Sequence, residues 1–274
     1  MTERSRSENI EYYLGKDTHV DMFFNSAELL SAYDIFNDGR LSNYDQTRST
    51  DFNVYFNWGM PDQKPGVVKL NNCGFRNDFD FNIDELNRQR VILCLGCSDT
   101  MAPNLTDDAL WVNIMRKQLP EDVVVLNLGL MSAAPDTITR LIVNYTTLIR
   151  STTDVCVIWP NVARREVANK NFCKLFTART PREFWQYEDK TKYLDYVSNS
   201  YNFHKNKIMC EALAHKNRFV LHDVYVNRSD PRYNFDVASG LGAYGPESNI
   251  AFANYFYKKI MNYPSLFDET RGAK

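Results

Sequence analysis

The sequence predicts an α/β fold in which a mostly parallel sheet carries helices on both faces. Four short apolar runs rich in Val and Ile are typical of strands buried on both faces. They are RVILCLG at 90–96, DVVVLNLG at 122–129, DVCVIWP at 154–160 and RFVLHDV at 218–224. Helical patterns separate these runs at intervals of about 30 residues, which favours right-handed crossovers and a parallel sheet.

The predicted helices lie in the intervals between the strands and after the last one. Segments 108–119 and 136–150 carry apolar residues at helical spacing, and Asp136 is placed to favour a first turn. A long segment at 189–216 and a last one at 247–261 complete the set. In such folds ligands bind beyond the carboxyl ends of the strands. Functional residues are therefore expected directly after the apolar runs.

Residues 1–89 differ from the rest of the chain because they are polar, turn-rich and aromatic. The alternation in VVKLNNCGFRNDFDF, at 67–81, predicts one or two strands. We therefore divide the chain into an N-terminal extension, 1–89, that packs on the core, and an α/β domain, 90–274. Aromatic residues concentrate binding energy at interfaces, so this extension is expected to contact protein partners or other copies of the chain. Its aromatic residues include Tyr12, Tyr13, Phe23, Phe24, Tyr55, Phe56 and Trp58.

Composition and charge narrow the classes of partner. The net charge is −2 with acidic and basic residues interspersed, so no broad basic field is present to hold a nucleic acid. No apolar stretch approaches the roughly 18 residues of a membrane-spanning helix, and the first residues lack the apolar run of a signal peptide. We therefore expect neither nucleic acid nor membrane as a partner.

The six cysteines are scattered through the chain, so we expect reduced thiols. They are Cys73, Cys94, Cys97, Cys156, Cys173 and Cys210. Cys94 and Cys97 have the spacing of a metal or redox pair, but no second pair accompanies them. Because Cys94 also falls in a predicted buried strand, the sequence predicts no metal site and no cofactor.

Candidate site residues follow three of the predicted strands. Ser98 follows the first strand in LCLGCSDTMAPN, the segment NLGLMSAAPDTI follows the second, and Asn161 follows the third in WPNVARRE. A serine at a helix start lies near unpaired backbone N–H groups that can stabilise an oxyanion, and Asn161 could add a side-chain donor. The alternative is that Ser98 and Asn161 only cap helices or turns.

These segments resemble the motifs of the SGNH, or GDSL-like, hydrolases, in particular SGNH-domain proteins of large tailed bacteriophages. The resemblance covers roughly residues 68–262 and includes VKLNNCGFRND before the first strand. It implies a flavodoxin-like three-layer sandwich, a catalytic serine at Ser98, and oxyanion donors at Ser132 and Asn161. It also implies an acyl ester or acetylated carbohydrate as substrate, and the host cytoplasm or the virion as the location.

The fourth motif of the resemblance is incomplete. Relatives carry an Asp, a His three residues later, and then a Gly-Pro turn, whereas this chain reads ASGLGAYGPESNIAFANYF at 238–256. Alignment on the Gly-Pro turn places Gly240 at the aspartate position and Ala243 at the histidine position. A slip of one residue gives Ser239 and Gly242, which does not supply the missing groups. The resemblance therefore predicts a nucleophile without its base.

A substitute base would have to come from another position. The chain has four histidines, His19, His204, His215 and His222. His222 ends a predicted strand and precedes Asp223, so it is the best candidate. Asp99 adjoins the serine but is expected to point elsewhere, because neighbouring side chains diverge. Asp236 would serve only if its loop were rebuilt.

Residues Arg164, Arg165 and Glu166 follow Asn161 and have two interpretations. They could bind a polar substrate or a carboxylate. The alternative is a salt-bridged helix start, because opposite charges near each other stabilise a first helical turn.

Two functions from different classes remain open. The first is a degenerate hydrolase of esterase or carbohydrate-deacetylase ancestry that keeps Ser98 and Asn161 and works as a binding or virion-associated structural module. The second is an active serine ester hydrolase with an unorthodox base such as His222. A serine without its base retains only about 10³–10⁴-fold acceleration over water, so the two functions differ in turnover.

Overall fold

The computed structural model describes residues 52–56, 66–71, 73, 75–102, 105–130, 133–162, 164–169, 172–176, 196–225, 237–238 and 243–262. Its strands and helices are, in chain order, β1 (Phe52–Phe56), β2 (Gly66–Leu70), α1 (Ile83–Leu86), β3 (Arg90–Leu95), α2 (Ser98–Met101), α3 (Trp111–Arg116), β4 (Val123–Asn127), α4 (Pro135–Leu148), β5 (Thr152–Trp159), β6 (Arg165–Asn169), β7 (Phe172–Phe176), α5 (Tyr196–Asn217), β8 (Val220–Tyr225), β9 (Val237–Ala238), β10 (Ala243–Tyr244) and α6 (Pro246–Asn262).

The central sheet has four parallel strands in the order β4-β3-β5-β8. All four strands coincide with the apolar runs that predicted them. β3, the first strand of this sheet along the chain, lies inside the sheet. β4 pairs on one side of β3, and β5 and then β8 follow on the other side, as in doubly wound α/β folds. The predicted α/β class with a parallel sheet is therefore confirmed.

Helices cover both faces of the sheet, which explains why its strands are apolar throughout. On one face, side chains from alternate positions of β3 and β5 pack with those of α4 and α5, including Leu93, Val157 and Tyr145. On the other face, the intervening positions pack with α3 and α6, including Cys94, Trp111 and Phe256. The sheet separates two apolar layers of core, and the molecule has three layers in this region.

Residues 75–86, which precede β3, contribute side chains to this core. Phe75 is fully buried and packs edge-on against Tyr145 of α4, with ring centroids 5.6 Å apart. Phe81 stacks on Phe75 at 6.2 Å. Further back along the chain, β2 overlaps the start of segment 67–81, which was predicted to hold one or two strands. It pairs antiparallel with β1, which lies before that segment and was not predicted. The rest of residues 1–70 lies outside the described residues.

Two predicted helices differ from the structure. The helix expected at 108–119 is shorter, because Leu110 is extended (φ −73°, ψ 133°) and separates a short 3₁₀ turn at Asp107–Ala109 from α3. The predicted helix start at 164–166 is wrong. Arg165–Asn169 forms a strand, β6, that pairs with β7, and the cross-strand partner outweighs the local charge pattern.

The other three predicted helices agree with the structure over their described length. Helix α4, Pro135–Leu148, covers nearly all of the predicted segment 136–150. Helix α5 begins at Tyr196, and residues 189–195 of the predicted segment lie outside the described residues. Helix α6 covers the predicted segment 247–261. Within the described part of the chain, no helix combines the length and apolar character that crossing a bilayer requires.

Candidate functional site

Ser98 begins helix α2 at the carboxyl end of β3, where the sequence placed it. Two glycines let the neighbouring strands approach this helix closely. A Cβ on Gly129, after β4, would lie 2.6 Å from the Met101 backbone nitrogen, and a Cβ on Gly96 would lie 2.9 Å from Thr100 Cβ. The same Gly96 Cβ would lie 3.2 Å from the carbonyl oxygen of Ile158 on β5. The turn formed by residues 96–98, the serine turn, therefore lies between the ends of β4 and β5.

The Ser98 hydroxyl contacts a thiol. Ser98 Oγ lies 3.8 Å from Cys97 Sγ, and the Cys97 thiol in turn donates to Asp99 Oδ2 over 3.3 Å. Burial, and then the charge of Asp99, raise the pKa of Cys97, so the thiol stays neutral near neutral pH. A neutral thiol sulfur is a weak acceptor and does not remove the serine proton. Asp99 and Ser98 thus both contact the Cys97 thiol.

A buried arginine holds the far end of α2. Arg76 Nη1 donates to the carbonyl oxygens of Met101, at 2.9 Å, and of Ala102. Its Nη2 donates to the Leu105 carbonyl at 2.7 Å. Ala102 has φ 42° and ψ 62°, the left-handed conformation that ends the helix. Arg76 thus fixes the turn that follows the serine helix by satisfying carbonyls that a helix end leaves unpaired.

A pair of asparagines fixes the end of β4 next to the serine turn. Asn77 Nδ2 donates to the Asn127 carbonyl, and the Asn127 N–H donates to Asn77 Oδ1, both over 2.9 Å. The Asn127 side chain donates to the Thr100 carbonyl at 3.2 Å and accepts the Gly129 N–H at 2.9 Å. Asn127 therefore ties β4 directly to helix α2.

The loop after β5 reaches the same region. Asn161 is exposed and its carbonyl accepts the Arg164 N–H at 3.1 Å, so it lies in a turn. Arg164 Nη1 donates to the Ala133 carbonyl at 3.4 Å, which joins this loop to the one after β4. The positive charge of Arg164 also acts on the Cys97 thiol, in the direction that lowers its pKa. Arg164 therefore lies near the serine turn, whereas Arg165 donates to the side chain of Ser198 on α5.

Strand β10, within the segment where the sequence predicted the fourth motif, also lies beside the serine helix. Cα–Cα distances of 8 Å or less join α2 and β10, the short strand that begins at Ala243. Just beyond it, the buried Asn249 of α6 donates to the Gly245 carbonyl at 2.9 Å and accepts the Trp111 N–H at 3.0 Å. These bonds fix the exit of β10 against the start of α3. Ser132, Ser239, Gly240, Gly242 and Asp236 lie outside the described residues.

His222, the candidate substitute base, lies in the middle of β8 and contacts a carboxylate of the neighbouring strand β5. Its Nε2 lies 2.9 Å from Asp154 Oδ1, and both residues are buried. His222 is in register with Cys156 of β5, which is in register with Cys94 of β3, four residues before Ser98. Asp154 lies two residues before Cys156, so the ring nitrogen is directed toward the amino ends of the strands. His204 and His215, the other described histidines, are exposed on α5.

Sequence reasoning missed Arg76, Asn77 and Asn249 as residues of this region. Arg76 and Asn77 occur in the segment VKLNNCGFRND that carried part of the family resemblance, but their contacts with α2 and β4 join residues 25–50 positions apart. Within the described part of the chain, no group of three or more His, Cys, Asp or Glu side chains is arranged to hold a metal ion.

No family model and no curated protein matches this chain. Solved structures similar to it include a lipolytic protein of the G-D-S-L family from Veillonella parvula, with 13% identity, TM-score 0.36, and coverage of 63% of this chain and 99% of that chain. A carbohydrate acetylesterase from Sinorhizobium meliloti has 13% identity, TM-score 0.33, and coverage of 64% and 99%. An aryl esterase from M. smegmatis has 12% identity, TM-score 0.32, and coverage of 63% and 99%. The α/β fold follows from the sheet and helices of this chain itself.

Proposed function

We propose that this chain is an SGNH hydrolase-like protein of esterase or carbohydrate-deacetylase ancestry that has lost efficient catalysis and serves as a binding or virion-associated structural module. The observation that carries the proposal is the environment of Ser98. Its hydroxyl contacts the neutral Cys97 thiol, and the strand beginning at Ala243, where the family resemblance expects a histidine, lies beside its helix. On this proposal Ser98 holds the nucleophile position, and no histidine stands at position 243 to act as its base.

The geometry of His222 supports this proposal over an active enzyme that uses His222 as the base. A general base must come within hydrogen-bond reach of the proton that it removes. His222 Nε2 is directed toward Asp154, and the strand register places His222 level with Cys94 rather than with the serine turn. The alternative, an active serine ester hydrolase with His222 as base, requires the ring to leave a buried carboxylate partner.

The ligand that we expect is an acyl ester or an acetylated carbohydrate, as the family resemblance implies. A site without a working base binds such a compound without cleaving it efficiently. The Arg164 side chain near the serine turn adds a positive charge that suits a polar or carboxylate-bearing ligand. Residues 1–89 are proposed to act as an extension whose aromatic side chains contact protein partners or further copies of the chain.

Hydrolysis of a small acetyl ester tests the catalytic part of the proposal. Wild type and Ser98→Ala are compared at an enzyme concentration that reveals a rate impaired by about a thousandfold or more. We expect equal rates at background. Serine-dependent turnover by the wild type would overturn the proposal and favour the active alternative.

A set of His222 variants separates the alternative from a loss of folding. His222→Gln keeps a donor toward Asp154 but cannot act as a base, and His215→Ala removes an exposed histidine of α5 as a matched control. If His222 were the base, His222→Gln would abolish the same activity as Ser98→Ala while the protein remained folded. We expect neither variant to change a background rate.

Restoring the missing groups tests the assignment of the vacant positions. The double variant Gly240→Asp with Ala243→His is expected to gain ester hydrolysis over the wild type, and adding Ser98→Ala is expected to remove the gain. A folded double variant that binds the ester without any serine-dependent turnover would contradict the assignment of Gly240 and Ala243.

Light scattering of the full chain tests the proposed role of the extension. Trp58→Ser and Tyr55→Ser are expected to reduce self-association or partner binding without changing the unfolding midpoint of the α/β domain. Unchanged assembly in both variants would argue against an aromatic contact surface in residues 1–89.

A further inference from the structure

Helix α5 presents a stripe of large apolar side chains to solvent. Val197 and Tyr201 are each 74% exposed, and Ile208 is 64% exposed. With the exposed His204, they are spaced by four, three and four residues, so all four lie on one face of the helix. This spacing is typical of a helix that packs against a second helix. The stripe takes no part in the serine site described above.

The opposite face of α5 is already packed on the α/β domain. Asn202 and Asn206 are buried, and each donates to Asp136 of α4 at 3.0 Å. Phe203 packs edge-on against Trp159 of β5, with ring centroids 5.5 Å apart. A surface helix normally turns its apolar residues to the core and its polar residues to water. In α5, polar residues occupy part of the buried face and apolar residues part of the exposed face, as expected for a helix that is covered on both sides.

Two opposite charges flank Ile208 on the exposed face. Lys205 lies three residues before Ile208 and Glu211 lies three residues after it, and both side chains are exposed. No acidic residue of α5 stands three or four positions from Lys205, so this lysine has no partner charge on its own helix. Lys207, four positions before Glu211, pairs instead with Asp223 of β8 at 2.8 Å. The charges of Lys205 and Glu211 can therefore act across the exposed face.

The exposed face of α5 is complementary to itself when two copies lie antiparallel with Ile208 at the centre. Each residue of a helix rises about 1.5 Å, so Lys205 and Glu211 lie about 4.5 Å on either side of Ile208 along the axis. Reversing the second helix brings Glu211 of one copy level with Lys205 of the other, and two-fold symmetry repeats this pair. A parallel arrangement would instead place like charges level with each other.

We infer that this chain forms an antiparallel homodimer through the exposed face of α5. Ile208 packs against Ile208 of the second copy at the two-fold axis, Tyr201 extends the apolar contact along each helix, and two pairs of Lys205 with Glu211 flank the axis. One helix from each copy makes a contact at the small end of specific interfaces, so we expect a dissociation constant of about 1–100 µM. The inference is independent of the proposed function, because it uses neither the serine turn nor residues 1–89.

Sedimentation equilibrium of the full chain tests the dimer. The mass is expected to rise with concentration from that of one chain toward twice that value. Ile208→Glu places a charge at the centre of the contact and is expected to raise the dissociation constant at least about tenfold. Ile250→Glu makes the same change at a 48% exposed position of α6 and is expected to leave it unchanged. A monomer at all concentrations up to about 500 µM, or equal effects of the two variants, would overturn the inference.

Charge-reversal variants test the pairs that flank the axis. Lys205→Glu and Glu211→Lys are each expected to weaken self-association about fivefold or more, because each sets like charges against each other. An equal mixture of the two variants is expected to associate more tightly than either alone, since two negative charges of one copy then face two positive charges of the other. A mixture of Glu85→Lys with Lys258→Glu, at exposed positions of α1 and α6, is expected to show no such gain. Equal behaviour of the two mixtures would overturn the assignment to α5.

Cysteine cross-linking tests the antiparallel direction. The five cysteines whose side chains the structure describes are buried, and wild type treated with the same oxidant is the control for all native thiols. Ile208→Cys is expected to form a disulfide-linked dimer under mild oxidation, because the two thiols meet at the two-fold axis. The two thiols of Val197→Cys would lie about 33 Å apart along the helices and are expected not to cross-link. Equal cross-linking of the two variants, or none with Ile208→Cys, would overturn the antiparallel contact.

Discussion

Arg76 donates two hydrogen bonds to a single carboxylate oxygen of Asp107, from Nη2 at 2.7 Å and from Nε at 2.9 Å. The arginine side chain is 4% exposed, whereas that of Asp107 is 64% exposed. The same guanidinium holds the carbonyls at the end of α2. The ion pair therefore places a buried cation where it satisfies the turn after Ser98, and the exposed carboxylate neutralises it from the solvent side.

Removing Arg76 is expected to destabilise the protein strongly. Arg76→Ala leaves the carbonyls of Met101 and Ala102 without their donor in a buried region, which costs about 3 kcal/mol of unfolding free energy. Asp107→Asn keeps an acceptor but removes the charge that neutralises the buried guanidinium, so it is expected to cost about 1–2 kcal/mol. Urea unfolding of both variants checks the prediction, and equal losses would contradict it.

The two glycines beside α2 are expected to respond differently to an added methyl group. In Gly129→Ala the new Cβ meets backbone atoms of Thr100 and Met101, which cannot rotate away, so we expect a loss of about 3 kcal/mol. In Gly96→Ala the closest atom belongs to the Thr100 side chain. The Thr100→Ala background is therefore expected to reduce the cost of Gly96→Ala but not that of Gly129→Ala.

A double-mutant cycle measured by urea unfolding tests this difference. The coupling between positions 96 and 100 is expected to be at least about 0.5 kcal/mol, and the coupling between positions 129 and 100 is expected to be smaller. Equal coupling in the two cycles would mean that the helix moves as a unit when either glycine is replaced.

Replacement of Arg218 by glycine is expected to stabilise the protein. Arg218 follows the last residue of α5 with φ 62°, and the next N–H, that of Phe219, donates back to the Ala214 carbonyl at 3.2 Å. This helix-ending geometry favours glycine, because a Cβ is strained at positive φ. We expect Arg218→Gly to gain about 0.5–1 kcal/mol and Arg218→Ala to change stability little, as measured by thermal unfolding. A gain of equal size in both variants would refute the backbone explanation.

Asp154 is expected to contribute stability that depends on pH. Burial raises the pKa of its carboxyl. Hydrogen bonds from His222 and Thr153, together with the charges of His222 and Arg90, lower the pKa by more than burial raises it. The pKa of Asp154 therefore lies below its ordinary value. A carboxyl with a lowered pKa in the folded state stabilises the protein above its unfolded-state pKa of about 4. That stabilisation disappears as the pH falls through the lower, folded-state value.

Asp154→Asn measures this contribution. At pH 7 we expect the unfolding free energy to fall by about 2–4 kcal/mol, because Arg90 and His222 lose a buried negative charge. Asp154 Oδ2 lies 3.2 Å from Arg90 Nη2. Below pH 4 the difference from wild type is expected to narrow. Asp84→Asn, at an exposed position of α1, is expected to change stability by less than about 0.5 kcal/mol. Unfolding curves of wild type and Asp154→Asn that stay equally far apart from pH 7 to pH 2 would contradict this account.

The strands and long helices could be predicted because each carries a strong local pattern. Val91–Leu95 and Val155–Trp159 are buried on both faces, so their apolar runs reveal them without knowledge of their neighbours. The predictions for 108–119 and 164–166 were wrong because long-range contacts determine the structure there. Leu110 is extended, and the N–H of the next residue, Trp111, donates to Asn249 of α6. Strand β6 forms by pairing with β7. Local periodicity contains no information on either contact.

The sequence by itself determined that a parallel α/β sheet forms and that Ser98 begins a helix at the carboxyl end of its first strand. The assignment of Gly240 and Ala243 to the aspartate and histidine positions of the fourth motif stays a prediction from the family resemblance. Only the tertiary structure decided which groups surround the serine turn. Arg76, Asn127 and Gly129 reach helix α2 because the order of the strands and the packing of the helices bring together residues far apart in the chain. The direction of His222 toward Asp154 was decided in the same way, by the register between β5 and β8.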